Sequence, residues 1–467
     1  MNIPYALIKK ADAGDAEAQW SVAWDIVFGD QKSEIEPDLL ERAIEFFKRS
    51  AEQGNGDAMC DLGAMYNYGR GVEQNEAEAV QWYKKAAEIL HPKAFRCLGH
   101  TLGFHNFRDG GYADYKKAFS YYLKGALLGE QDSLGCLGDM YFYGNYVAVD
   151  QVFAFNLFQE SEDIINDNVY DDCYAIVCVR IGECLYKFNN SDKSNKLSIK
   201  YLQNAINSFE YRIEKGDPPE YYMNHYHKAK RLLDDIDSRK SPITADERDS
   251  DDFLEFIKSD YLKYPKPKHP IIELDCLLNE NIKLEDWDNQ GFFNEELAAA
   301  KSGSADAMYH VAFYCFNRYS RKESFSQNMI NFALYYYHKA ARSGRKSAMY
   351  NLGAIYAHGE GGVEVDHKKA LLLYTHSNTQ LGQGELGVYY AKGESVEQSY
   401  EKAFKCFAKS ALHLNNSSYG SLGNLAIMYR NGLYVDVDHK FADYCDTLRK
   451  KAEKGFNSNP VGKIVLK

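Results

Sequence analysis

The chain of 467 residues has length enough for about three average domains and a large core that folds without disulfides or metals. Its 45% hydrophobic and 26% charged residues are ordinary for a soluble protein, and 37 Tyr, 25 Phe and only 10 Pro favour long helices over many-turned β architecture. A net charge of −12 has the wrong sign for binding a phosphate backbone, which excludes nucleic acid as the expected partner.

The chain opens Met1-Asn2-Ile3-Pro4-Tyr5-Ala6-Leu7-Ile8-Lys9-Lys10, an apolar stretch too short for a signal-peptide core, with acids following at Asp12 and Asp15. No export signal is expected, and no membrane span either. Runs such as Tyr174-Ala175-Ile176-Val177-Cys178-Val179 fall far short of the ~20 apolar residues that a spanning helix needs. The 10 Cys include no Cys-x-x-Cys pair, and the tight group Cys173, Cys178 and Cys184 lacks zinc-ligand spacing. Buried, reduced thiols in a cytoplasmic protein are the expectation.

Three segments share the pattern Leu-Gly-x-x-Tyr-x-x-Gly: Leu62 to Gly69, Leu137 to Gly144 and Leu352 to Gly359. Weaker copies place a small residue at Ala23, Gly99, Gly182, Ala312, Gly387 and Ala426. Within each of two groups these positions recur every 34 to 44 residues, and a gap of 130 separates Gly182 from Ala312. After each copy comes an Ala followed at +4 by an aromatic and at +7 and +8 by small residues, as in Ala79, Tyr83, Ala86 and Ala87. That spacing puts one small-and-aromatic stripe on one helical face. Four residues before the Ala stands a capping side chain, at Asn75, Asp114, Asp150, Asp366, Ser399 and Asp438.

Each unit therefore reads as helix A, a Gly-containing turn, a cap, helix B and a short exit. Gly63 and its equivalents lack a Cβ and let helix B approach closely, while Gly69, Gly144, Gly359, Gly393 and Gly432 suit left-handed helix ends. A single hairpin cannot bury both faces, so neighbouring units must stack.

The run Ala79-Val80-Gln81-Trp82-Tyr83-Lys84-Lys85-Ala86-Ala87, preceded by Leu-Gly-x-x-Tyr-x-x-Gly and Gly71-Val72, resembles the Sel-one-like repeat, a relative of the tetratricopeptide repeat. The resemblance covers about residues 11–215 and 295–455. It implies an all-α, right-handed superhelical solenoid of about nine helix-turn-helix repeats, whose A helices line a concave, protein-binding groove in scaffolds and adaptors rather than enzymes. Some members pair cysteines within each repeat; this chain does not repeat such pairs. A bacterial origin is the expectation attached to that family.

The repeats divide into residues 1–238, about five repeats with an extra helix over Pro218 to Asp237, and residues 293–467, about four repeats and a tail. Between them, 239–292 reads as an irregular insert. Residues 241–300 carry 15 Asp or Glu against 6 Lys or Arg, −9 of the total charge, with Pro242, Pro265, Pro267 and Pro270 close by. The insert reads either as a hinge between two blocks or as a docking segment, in which Asp249, Asp251, Asp252, Phe253 and Glu255 would meet a basic partner.

Catalytic chemistry has no visible home in this sequence. Gly382-Gln383-Gly384-Glu385-Leu386-Gly387 matches Gly-x-Gly-x-x-Gly, but no strand precedes it and Gly387 is the small residue of a repeat. His-Glu-x-x-His, a phosphate-binding loop and a nucleophile elbow are missing, and the 13 His do not converge on a metal. No catalytic residue, cofactor or metal is expected.

The groove remains. Candidates to face it are Ala64, His100, Asp139, Phe142, Ala354, Ala357, Ile427 and Arg430, with Arg96 and Tyr350 a turn earlier. Arg and aromatic anchors of this kind dominate interface energetics. The leading expectation is a non-catalytic scaffold or adaptor that binds a partner protein, with its own oligomeric state left open. An immunity- or antitoxin-like inhibitor of a basic partner, and an enzyme with a pocket between the blocks, are the alternatives.

Overall fold

A computed structural model describes residues 3–29, 35–103, 114–165, 172–188, 192–215, 220–238, 290–320, 326–412 and 419–453. Among these residues all regular structure is helical, with 21 α-helices and no strand. The chain divides into two compact units, Met1–Lys258 and Ser259–Lys467. The insert residues Asp249, Asp251, Asp252, Phe253 and Glu255 lie outside the described residues.

In the N-terminal unit, α1 (Tyr5–Asp12) precedes five hairpins. These are α2 (Ala16–Val27) with α3 (Pro37–Glu52), α4 (Gly56–Tyr68) with α5 (Glu76–Glu88), α6 (Pro92–Gly103) with α7 (Tyr115–Leu127), α8 (Gln131–Tyr143) with α9 (Gln151–Ile165), and α10 (Asp172–Phe188) with α11 (Asp192–Lys215). The extra helix expected near Pro218 is α12 (Glu220–Ser238), packed on α11 and α10.

In the C-terminal unit, α13 (Gln290–Lys301) precedes four hairpins. They are α14 (Ala305–Tyr319) with α15 (Gln327–Arg342), α16 (Lys346–His358) with α17 (His367–Ser377), α18 (Gln380–Lys392) with α19 (Tyr400–Ala411), and α20 (Tyr419–Asn431) with α21 (His439–Glu453). Every B helix packs on its own A helix and, where another hairpin of the same unit follows, on the next A helix, as a stack of repeats requires.

Local chemistry sets the boundaries. Asn75, Asp114, Asp150, Asp366, Ser399 and Asp438 each accept a hydrogen bond at 2.9–3.3 Å from the backbone N–H three residues on, so all six expected caps start a B helix. The A helices have caps of their own, which sequence reasoning missed: Asp15, Asn55, Glu130, Ser304 and Thr379. Gly69, Gly144, Gly359, Gly393 and Gly432 all sit at φ between +64° and +76°, closing A helices in the left-handed conformation.

Small opposite large governs the hairpin interface. A Cβ on Gly353 would lie 2.8 Å from the Tyr374 ring, and one on Gly387 would lie 2.5 Å from Phe407. Gly63, Gly99 and Gly138 face Tyr83, Tyr122 and Phe158 more tightly still. Gly387 is thus a packing position on α18.

The A–B turn has one more recurrent feature. The N–H of Asn75, Asp150, Asp366, Ser399 and Asp438 donates at 2.8–2.9 Å to the carbonyl of the motif tyrosine: Tyr66, Tyr141, Tyr356, Tyr390 and Tyr429. To reach it, the chain turns left-handed again two residues past the closing Gly, at Gly71, Tyr146, Gly361, Ser395 and Tyr434. Tyr146 and Tyr434 offset that strain by packing on Phe119 at 5.3 Å and Phe404 at 6.1 Å. Ser395, at φ +58°, has no such ring. Ser395→Gly is therefore expected to stabilise the C-terminal unit by about 0.5–1 kcal/mol. A melting temperature at or below the parent's would refute the assignment of strain.

Candidate partner-binding face

Helix A begins seven residues before its small residue in eight of the nine hairpins, α10 starting earlier, so equivalent positions share one register along the stack. In the N-terminal unit successive A helices also touch each other: α4 with α6, α6 with α8, and α8 with α10.

Polar groups cross between those A helices. Trp20 Nε1 and Lys93 Nζ donate to the two oxygens of Asp61, at 2.9 Å and 2.8 Å. Arg96 lies 3.1 Å from Glu130 and 3.5 Å from Asp132 at the start of α8. Arg180 donates from Nε and Nη2 to Asp139 Oδ2 at 2.9 Å and 2.6 Å. Glu183 accepts from Lys187 at 2.7 Å and from the Tyr143 hydroxyl at 2.8 Å, and pairs with Lys228 of α12 at 2.5 Å. Burial pushes Glu183 up, but the hydrogen bonds from Lys187, Lys228 and Tyr143 hold its pKa below the usual glutamate value.

Of the expected groove residues, Arg96, His100 and Asp139 fall into this lattice. Arg96 and Asp139 hold the ion pairs just described. His100 Nδ1 lies 3.3 Å from the Tyr122 hydroxyl and its Nε2 lies 3.8 Å from Cys136 Sγ. Arg430 binds Asp443 and Asp446 of α21 at 2.7 Å and 2.9 Å. Tyr350 is half-buried, 5.9 Å from the Tyr374 ring. Phe142, four residues past its Gly, is only 6% exposed, because that position turns into the repeat interior.

Exposed aromatics stand one or five residues past the small residue: Trp24 at 40%, Tyr68 at 53% and Tyr143 at 46% exposure in the N-terminal unit, and Phe313 at 47% in the C-terminal unit. Sequence reasoning passed over these four aromatics. Their signal was the register: once the small residue is fixed, the offsets +1 and +5 stack on one helical face.

Several buried titratable groups are held neutral. Burial, reinforced by Arg180 and Lys228, lowers His225 to about 4. Burial likewise lowers His338 to about 4, with Arg342 and Lys369 adding to it. Both folded-state values lie below the ordinary 6.5, so the unfolded state binds more protons at mildly acidic pH. The stability they confer is complete above pH 6.5 and is lost progressively as pH falls towards 4. Unfolding of the His338→Gln variant should depend less steeply on pH across that window, and an unchanged slope would refute the assignment. Burial also pushes the thiols of Cys136, Cys178, Cys315 and Cys406 up to about 12, far from nucleophilic.

Among the described residues, no group of three or more His, Cys, Asp or Glu is placed to hold a metal ion, and no helix is long and apolar enough to cross a membrane.

Comparison with known proteins follows the same architecture. The Sel1 repeat matches at residues 16–55, 56–88, 102–130, 134–163, 305–344, 346–375, 380–413 and 421–442. The hairpin α10–α11, whose motif is degraded, lies outside those segments. Among solved structures, one similar chain is c5321, a protective antigen present in uropathogenic Escherichia coli strains that displays an SLR fold. It is 22% identical with a TM-score of 0.33, covering 97% of this chain and 91% of that one. A Sel1 repeat protein from Oxalobacter formigenes is 18% identical with a TM-score of 0.28, over 96% and 86%. With eight matched segments spanning more than half of its length, the chain belongs to the Sel1 repeat family.

Proposed function

We propose that this chain is a non-catalytic, cytoplasmic scaffold that binds a partner protein on the A-helix face of its N-terminal unit. Sel1 repeat proteins act generally as protein-interaction scaffolds, and the family is typically without catalysis. The observation that carries the reading is the row of solvent-facing aromatics, Trp24, Tyr68 and Tyr143, on A helices otherwise occupied by internal ion pairs. Large aromatics exposed on a rigid surface are the side chains that supply most interface energy, and the paired charges around them form a polar rim. Arg96, His100 and Asp139 then hold neighbouring repeats in register beneath a partner. The acidic insert, with Asp249, Asp251, Asp252, Phe253 and Glu255, supports a partner with a basic surface, since the −9 charge of residues 241–300 would steer association.

The test is capture of a stoichiometric partner from native lysate by the full-length chain and by a Trp24→Ala/Tyr68→Ala variant. Truncating two such anchors is expected to weaken binding by about 2–4 kcal/mol, enough to lose the partner from the pull-down. Undiminished capture by a folded variant would remove the A-helix face from the interface.

A further inference from the structure

The charges between successive A helices of the N-terminal unit are unevenly matched. Lys93 meets the one carboxylate of Asp61, Arg96 meets two, those of Glu130 and Asp132, and Arg180 meets the one of Asp139. At the last node the ratio reverses, because Glu183 faces both Lys187 and Lys228, at 2.7 Å and 2.5 Å. Lys187 takes Oε1 of Glu183 and Lys228 takes Oε2, which also accepts from the Tyr143 hydroxyl at 2.8 Å. That hydroxyl in turn accepts from Lys228 Nζ at 2.8 Å. Two ammoniums on one carboxylate leave positive charge in excess.

Depth separates the signs. The Glu183 side chain is 6% exposed, whereas those of Lys187 and Lys228 are 45% and 28% exposed. A partner approaching from solvent therefore meets the ammoniums and not the carboxylate. His225 of α12 senses the same imbalance: burial lowers its pKa most, and Arg180 and Lys228 each lower it by more than Glu183 raises it. Register places the node beside the exposed aromatics, since Lys187 stands five residues past Gly182 just as Tyr143 does past Gly138 and Tyr68 past Gly63. The Lys187 and Lys228 ammoniums lie 5.8 Å and 5.5 Å from the centre of the half-exposed Tyr143 ring. A fixed aromatic surface with two ammoniums against it is the result.

We propose that Lys187, Lys228 and Tyr143 form a docking point for an acidic side chain of the partner protein, with an apolar neighbour of that residue resting on the Tyr143 ring. This rests on the reading of the A-helix face as the binding surface and adds the charge of the residue that meets it. A basic surface elsewhere on the partner would face the insert. Each ammonium has three donors, and Lys187 spends one of them on Glu183, so a second carboxylate can be bound without breaking the first pairing. The whole chain, at −12, repels an acidic ligand, so a preference for one would have a local origin.

The probes are three Gly/Ser peptides centred on Glu-Phe-Glu, Gln-Phe-Gln and Lys-Phe-Lys, observed through their phenylalanine ring protons by saturation-transfer NMR against the full-length chain at low salt. The Glu-Phe-Glu peptide is expected to bind about tenfold more tightly than Gln-Phe-Gln, and Lys-Phe-Lys more weakly than either. Lys187→Gln leaves Glu183, Lys228 and Tyr143 joined, so it should fold as the parent does while losing most of that tenfold preference. Lys187→Glu turns the excess negative and should reverse the order, a gain of Lys-Phe-Lys binding that a misfolded chain would not show. Equal binding of the three peptides by the parent, binding of none, or an unchanged order in folded Lys187→Glu overturns the docking point. If it falls while capture through Trp24 and Tyr68 persists, the scaffold stands without it. If the peptide order holds while Trp24→Ala/Tyr68→Ala leaves capture intact, the docking point stands and those two anchors fall.

Discussion

Gly63→Ala is expected to destabilise the N-terminal unit by about 2–3 kcal/mol, a large loss for a single methyl group. A Cβ at position 63 would stand inside van der Waals contact of the Tyr83 ring, and that ring cannot retreat. Tyr83 is almost fully buried, flanked by Ala79 and Ala86 on its own helix, so the hairpin itself must open. Opening one hairpin also disturbs its neighbours, because α5 packs on α6 as well as on α4. Gly54→Ala is the informative control. Gly54 has φ +92° and open space around it, so only backbone strain of about 1 kcal/mol is at stake there. Amide hydrogen exchange over α4 and α5 would separate the two, because steric opening raises exchange across both helices whereas strain at Gly54 does not. A Gly63→Ala chain that melts within about 0.5 kcal/mol of the parent would mean that the hairpin is looser than its packing indicates.

The features that the amino-acid order announces are local. Asn75, Asp366 and the other caps, the closing glycines and the small residues opposite Tyr83 or Phe407 each depend on a few neighbouring residues, and all take the roles their spacing suggests. The second left-handed residue of the A–B turn is hidden because only Gly71 and Gly361 show it as glycine, while Tyr146, Ser395 and Tyr434 hold the same conformation. The exposed face of helix A was harder to read for a geometric reason. A residue's exposure on helix A depends on packing from its own B helix and from the preceding one, and repeat spacing alone does not give that rotation. A one-position error in face assignment is enough to exchange buried Phe142 for exposed Tyr143. Cross-repeat partners such as Arg180 and Asp139, 41 residues apart, are invisible until two repeats are stacked.

Arg180→Met is expected to cost the N-terminal unit about 3 kcal/mol, because it strands Asp139 in a site built for a guanidinium. The Arg180 side chain is only 10% exposed, and both its Nε and Nη2 point at Asp139 Oδ2. A Cβ at position 135 would meet Arg180 Nη1, so Gly135 leaves the room the guanidinium occupies. Converting the acid as well should recover most of the loss, since two apolar side chains of similar volume need no solvation: Asp139→Leu/Arg180→Met is expected within about 1 kcal/mol of the parent. Asp139→Leu alone should fall between, leaving a buried guanidinium that still has Cys136 Sγ at 3.9 Å and the field of Asp132. The double-mutant cycle also separates structure from binding. Should the apolar double variant fold normally and still retain the partner, the ion pair serves to hold α8 against α10, and recognition belongs to exposed residues such as Tyr143. If the double variant folds normally but loses the partner, Asp139 contacts the partner directly despite its pairing. A single Arg180→Met variant as stable as the parent would show that water reaches Asp139 freely, and that the ladder of A-helix ion pairs contributes little to stacking.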